Sequence, residues 1–182
     1  MAGPPLDTVL VAVAGSRRPF PNPRLVAHDG RRVRFYEDLV QGRLVLVSFA
    51  YTNCQGSCPA SLRTLLATRR LLVPRLGSAP DLLTLTLDPD RDTPPALAHF
   101  VAAHGSPAGW TCLTGEPKDL ERLRRFLGFY DPDPRVDADR AQHAGLVAMG
   151  DDRIGRWRVA STRASPAELA KLTLRTAGLP GV

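Results

Sequence analysis

The sequence predicts an α/β fold in which a central mixed sheet is flanked by helices and preceded by a β-hairpin. Three observations carry this expectation. Apolar runs at Leu44–Ala50, Asp81–Leu87 and Trp110–Leu113 have strand length and composition, and amphipathic helical stretches lie between and after them. That β-α-β-α-β order implies parallel strands joined by right-handed crossovers. Two further apolar runs, His143–Met149 and Ile154–Val159, flank the short turn Gly150-Asp151-Asp152-Arg153 and predict a terminal antiparallel hairpin.

The elements follow in order. Residues 1–23 contain Pro4, Pro5, Pro21 and Pro23 and read as an extended N-terminal arm, so the folded domain is expected over 24–182. Asp29-Gly30 between Leu25-Val26 and Val33–Phe35 is a hairpin signal. Phe35–Val40 reads as a helical turn ended by Gly42, and the strand Leu44–Ala50 stops at the turn residues Tyr51-Thr52-Asn53. A helix is expected from Ser57, a good N-cap followed by Pro59, to Val73, with Leu62, Leu65 and Leu66 facing the core and Pro74 and Gly77 closing it. The second strand, Asp81–Leu87, ends in Asp88-Pro89-Asp90-Arg91-Asp92-Thr93-Pro94, where Asp92 reads as a helix cap. The next helix runs from Pro94 or Pro95 to His104 and buries Leu97, Phe100 and Val101. Trp110–Leu113 and a helix over Glu116–Leu127 follow; Gly128–Gln142 has no period and reads as a long loop of functional length. Ser165 and Glu168 have capping-box spacing and open the last helix, which ends near Thr176.

Composition bounds the function. At 182 residues, with 43% hydrophobic and 23% charged, the chain suits one globular domain. The net charge of +6 comes from arginines scattered in twos and threes without aromatic partners, which argues against nucleic-acid binding. No run of 18 apolar residues is present, so no membrane anchor is visible in this chain, and Val9–Ala14 lacks the basic flank of a signal peptide. Three cysteines are too few for a disulfide scaffold. Cys54 and Cys58 stand where a strand hands over to a helix, and the unpaired N–H groups and dipole of a helix start favour thiolate. Cys112 sits within a strand and reads as packing; His28, His99 and His104 read as turn, outer helix face and helix end.

The run Tyr51–Leu62, YTNCQGSCPASL, resembles the TxCxxxCP signature of the Sco/SenC proteins. Leu87–Pro94, LDPDRDTP, is similar to that family's DPxRDTP motif, and His143, just before an apolar strand, matches the position of its distal histidine. The resemblance covers roughly Arg24 to Leu174, with Gln55 where the family commonly has Pro and Gln142 where it commonly has Asp. It implies a thioredoxin-like fold and a copper metallochaperone of cytochrome oxidase assembly, with Cys54, Cys58 and His143 as ligands of Cu(I) or Cu(II). Two soft thiolates and an imidazole suit copper and could also hold zinc, and four-residue spacing equally allows a disulfide. Asp88, at the carboxyl end of a parallel strand, would either tune the thiols or metal by its charge or cap the turn.

The implied partners are a copper-acceptor protein, a cytochrome oxidase subunit, and a thiol reductant protein. The implied location is extracytoplasmic, on the periplasmic side of a membrane, with a cytoplasmic protein as the alternative. The competing activity is thiol-disulfide exchange through the redox-active pair Cys54 and Cys58. The CxxxC spacing, and the absence of a proline just before the His143 strand, separate the chain from plain thioredoxins. A peroxidase is disfavoured because the PxxxTxxC pattern would need Pro where Val47 or Tyr51 stands.

Overall fold

The computed structural model describes residues 19–54, 58–138 and 145–181, with only the backbone at Cys58. Among the described residues seven strands, β1 (Arg24–Ala27), β2 (Arg32–Arg34), β3 (Leu44–Ala50), β4 (Asp81–Thr86), β5 (Trp110–Thr114), β6 (Leu146–Asp151) and β7 (Arg156–Ser161), form one sheet. Their order is β2-β1-β5-β4-β3-β6-β7. As the crossovers require, β3, β4 and β5 are parallel, while β6 and β7 add antiparallel on one side and the β1–β2 hairpin on the other. Among the described residues the α-helices are α1 (Cys58–Leu76), α2 (Pro94–Ala103), α3 (Pro117–Phe126), the one-turn α4 (Pro134–Asp137) and α5 (Pro166–Thr176), and Phe35–Val40 forms the expected helical turn, wound as a π-helix. This is the expected thioredoxin-like mixed sheet flanked by helices, with an N-terminal hairpin.

Alternation along the central strands builds two cores. Val45, Val47 and Phe49 of β3, Leu83 and Leu85 of β4 and Leu113 of β5 point to one face, where they meet Phe35, Leu120, Leu123 and Phe129. Leu46, Leu82, Trp110 and Cys112 point to the other and pack on Leu62 and Leu65 of α1, Leu97 and Val101 of α2 and Leu169 of α5. Covering both faces is what a parallel sheet needs, and it explains why β3 reads as a continuous apolar run. Gly150 faces Trp157 across the β6–β7 ladder, and a Cβ at residue 150 would collide with the indole, so the strand tolerates only glycine there.

Several boundaries differ from expectation. α1 runs through Pro74 to Leu76: the hydrogen bond that the proline forfeits is the one to the carbonyl of Arg70, an exposed residue near the helix end. β6 continues through Gly150 and Asp151, which pair with Trp157 and Arg156, so the turn is Asp152–Ile154 with left-handed Gly155. The 128–142 stretch is not featureless: Asp133 caps α4, its side chain accepting from the Arg135 N–H at 2.9 Å with Pro134 at the first helical position. Phe129, just before, is completely buried. The arm expected over residues 1–23 falls outside the described residues up to residue 18; Phe20 packs against Phe35, Tyr36, Phe126 and Trp157. Among the described residues no helix is long and apolar enough to cross a membrane.

Candidate functional site

The carboxyl ends of β3 and β4 release two loops side by side. After Ala50 the chain makes a turn in which the Cys54 N–H donates to the Tyr51 carbonyl at 3.2 Å, so Cys54 is the fourth residue of a β-turn that opens at Tyr51. The second loop stays bound to the first, since the Leu87 N–H donates to the Ala50 carbonyl at 2.9 Å. Cys54 is half-buried and disulfide-bonded, and the backbone at Cys58 begins α1. The Cys58 side chain and the expected N-cap Ser57 lie outside the described residues.

The second loop folds on its own backbone: the N–H groups of Arg91 and Asp92 donate to the Asp88 carbonyl at 3.1 and 2.9 Å. The Asp88 carboxylate, 17% exposed, lies 3.9 Å from the Arg91 guanidinium. The structure therefore puts Asp88 and Cys54 on adjacent loops at one sheet edge, the edge where open α/β sheets place ligands.

Asp92 is not a helix cap. Thr93 occupies that position, and the Asp92 side chain turns inward, 1% exposed, beneath the other loop. It accepts from the Thr52 hydroxyl and the Thr86 hydroxyl, each at 2.5 Å, and from the Thr52 N–H at 3.2 and 3.3 Å. The capping expectation failed because the donors, Thr52 and Thr86, are distant in sequence and hydroxyls carry no periodic signal. Thr52 is nonetheless the threonine of the quoted TxCxxxCP run, so the signal was present.

His143 lies outside the described residues, as does its neighbour Gln142. The chain resumes at Gly145. β6 pairs antiparallel with β3 from Leu44↔Asp151 to Ser48↔Val147, and continuing that register brings Gly145 level with Ala50. Both segments that carry the expected ligands thus meet the described fold at the edge that bears Cys54. Among the described residues no group of three or more His, Cys, Asp or Glu side chains is arranged to hold a metal.

Cys112 lies within β5. It is wholly buried and free, and desolvation, with a smaller contribution from the Asp92 charge, pushes its thiol far above the usual range. Beside the second loop a cleft of about 300 Å³ opens between Leu87, Pro89 and Asp90 on one side and α3 on the other. The buried Arg124 closes its floor. Its guanidinium donates to Glu121 at 2.7 and 2.9 Å, to Asp137 at 2.8 Å and to the Phe129 carbonyl at 2.6 Å, and so pins the 129–138 segment to α3. Hydrogen bonds to Asp137 and Glu121 hold Arg124 above its ordinary pKa, and Arg124 in turn holds the Glu121 carboxyl below the usual range.

The SCO1/SenC family model matches residues 17–177. A bovine relative, the mitochondrial protein SCO2 homolog, is 34% identical over 114 residues, which cover 61% of this chain and 41% of that protein. The chain thus spans less than half the length of that relative. Among solved structures, yeast Sco1 with copper bound superposes with a TM-score of 0.69 at 19% identity, covering 88% of this chain and 94% of that one. BsSco, described as a member of the Sco family of cytochrome c oxidase assembly proteins with a disulfide switch, gives 0.69 at 20% identity over 94% of this chain and 95% of its own. At these identities the structural likeness speaks for the fold.

Proposed function

Because the chain belongs to the SCO1/SenC family, we propose that it is a copper metallochaperone in which the thiolates of Cys54 and Cys58 and the imidazole of His143 bind copper and pass it to an acceptor protein. The observation that carries this reading is the convergence at one sheet edge: Cys54 on the turn after β3, Cys58 at the start of α1, and the chain re-entering at Gly145 level with Ala50. Two thiolates and one imidazole are a donor set for a soft, low-coordinate ion, and Cu(I) is the form they suit best. A half-buried Cys54 lets an incoming thiolate share the ion during transfer. The acceptor is a cytochrome oxidase subunit, by analogy with the family, and the domain works on the extracytoplasmic side of a membrane.

A second reading draws on the disulfide at Cys54. If Cys58 is its partner, the same pair exchanges disulfides with a reductant protein, which would return it to the copper-binding dithiol. The two activities share one site and differ in whether His143 is needed.

Anaerobic titration of the reduced protein with Cu(I) tests the first reading. One copper per chain is expected, with affinity lowered at least 100-fold in Cys54→Ser, Cys58→Ser and His143→Ala. Binding that survives all three substitutions unchanged would overturn it; loss in the cysteine variants alone would favour the dithiol reading.

A further inference from the structure

We propose that Asp92 is a positioning residue for the Cys54–Cys58 pair, acting through Thr52. The inference deepens the site reading above and rests on those two cysteines being the working pair. Asp92 receives both donors of Thr52, its N–H and its hydroxyl. Thr52 is the second residue of the turn whose fourth residue is Cys54. Fixing that residue by two bonds to a buried group fixes the direction in which the turn presents the Cys54 sulfur.

The other carboxylate oxygen takes the Thr86 hydroxyl, and the Thr86 oxygen in turn accepts the Asp88 N–H at 2.8 Å. One buried carboxylate therefore ties the cysteine turn, the last residue of β4 and the start of the second loop into a single unit. The elements around it supply hydroxyl and backbone donors: Thr52 from the turn and Thr86 from β4. A buried carboxylate served by neutral donors is costly to assemble unless each bond is made, which makes the arrangement specific to one geometry of the turn.

The chemical consequence concerns the effective concentration of one thiol at the other. A turn held in place presents the Cys54 sulfur toward the start of α1 in one direction; a loosened turn spreads it over many arrangements and dilutes it at its partner thiol. Removing the Thr52 hydroxyl should therefore weaken both the disulfide and copper binding while leaving the sheet and its cores untouched.

The test uses the full chain equilibrated in glutathione redox buffers without copper, read by mass-tagging of free thiols, followed by Cu(I) competition titration. Thr52→Val is expected to shift the dithiol–disulfide equilibrium about tenfold towards dithiol, a potential change of about 30 mV for a two-electron couple, and to weaken copper binding by a similar factor. Asp92→Asn should act in the same direction, and Thr52→Ser, which keeps the hydroxyl, should restore native behaviour. If Thr52→Val keeps the equilibrium within twofold of the native value, even with a lowered melting temperature, the contact is merely structural and the proposal is overturned. A Thr52→Ser variant as impaired as Thr52→Val overturns it as well. Because the glutathione equilibrium needs no metal, a chain that fails to bind copper would sink the metallochaperone reading and leave this measurement to be judged separately.

Discussion

At the scale of single residues, the three cysteines divide by environment. Cys54 is half-buried on a turn at the end of a strand, whereas Cys112 sits within β5 with no exposed surface. Burial raises the Cys112 thiol, so at neutral pH it stays protonated and unreactive. Native protein is therefore expected to alkylate at the reduced pair while Cys112 reacts only in denaturant, a difference that peptide mass mapping reads directly. The linkage has a definite sign. The folded pKa lies above the unfolded one, so the thiol's contribution is fully present below about pH 8.5 and declines as the unfolded chain ionises above it. Chemical denaturation of Cys112→Ala from pH 7 to 10 should show a shallower loss of stability than the native chain, by at most about 1.4 kcal/mol per pH unit. Equal slopes would mean that this thiol ionises freely in the fold.

At the scale of elements, legibility follows periodicity. The strand Leu44–Ala50 and the capping box at Ser165 and Glu168 stand where the sequence places them, because an apolar run and a capping pair are local signals. α4 escaped notice although Asp133-Pro134 is a helix-start signature, since one turn contributes no repeat. Asp92 escaped because its role depends on Thr52 and Thr86, brought to it only by the pairing of β3 with β4. The segment from Phe129 to Asp137 shows what such tertiary contacts stabilise. Arg124→Leu would take from the 9%-exposed Asp137 carboxylate its buried guanidinium partner, with the exposed Arg125 and the Asp131 N–H remaining among the described residues, which should cost about 3 kcal/mol. A lower urea midpoint with an unchanged slope is expected, together with faster proteolysis between α3 and β6. An unaltered midpoint would show that Arg124 does not hold the segment.

At the scale of the whole molecule, the sheet order explains how the proposed site draws on distant motifs. β3 lies between β4 and β6, so the loop after β3 is flanked by the loop after β4 and by the chain entering β6. Cys54, the aspartate-rich loop and Gly145 come to one end of the sheet for that reason, though some 90 residues separate the first from the last. Both faces of the sheet are covered, and the carboxyl edge, where open α/β sheets place ligands, carries Cys54 and Asp88. The central claim is that copper is held there by two sulfurs and one imidazole. X-ray absorption at the copper edge of the Cu(I)-loaded protein tests it most directly. The account predicts two sulfur scatterers and one imidazole, with the imidazole signature lost in His143→Ala and one sulfur lost in Cys54→Ser. A spectrum without sulfur, or one identical in native protein and His143→Ala, would contradict it.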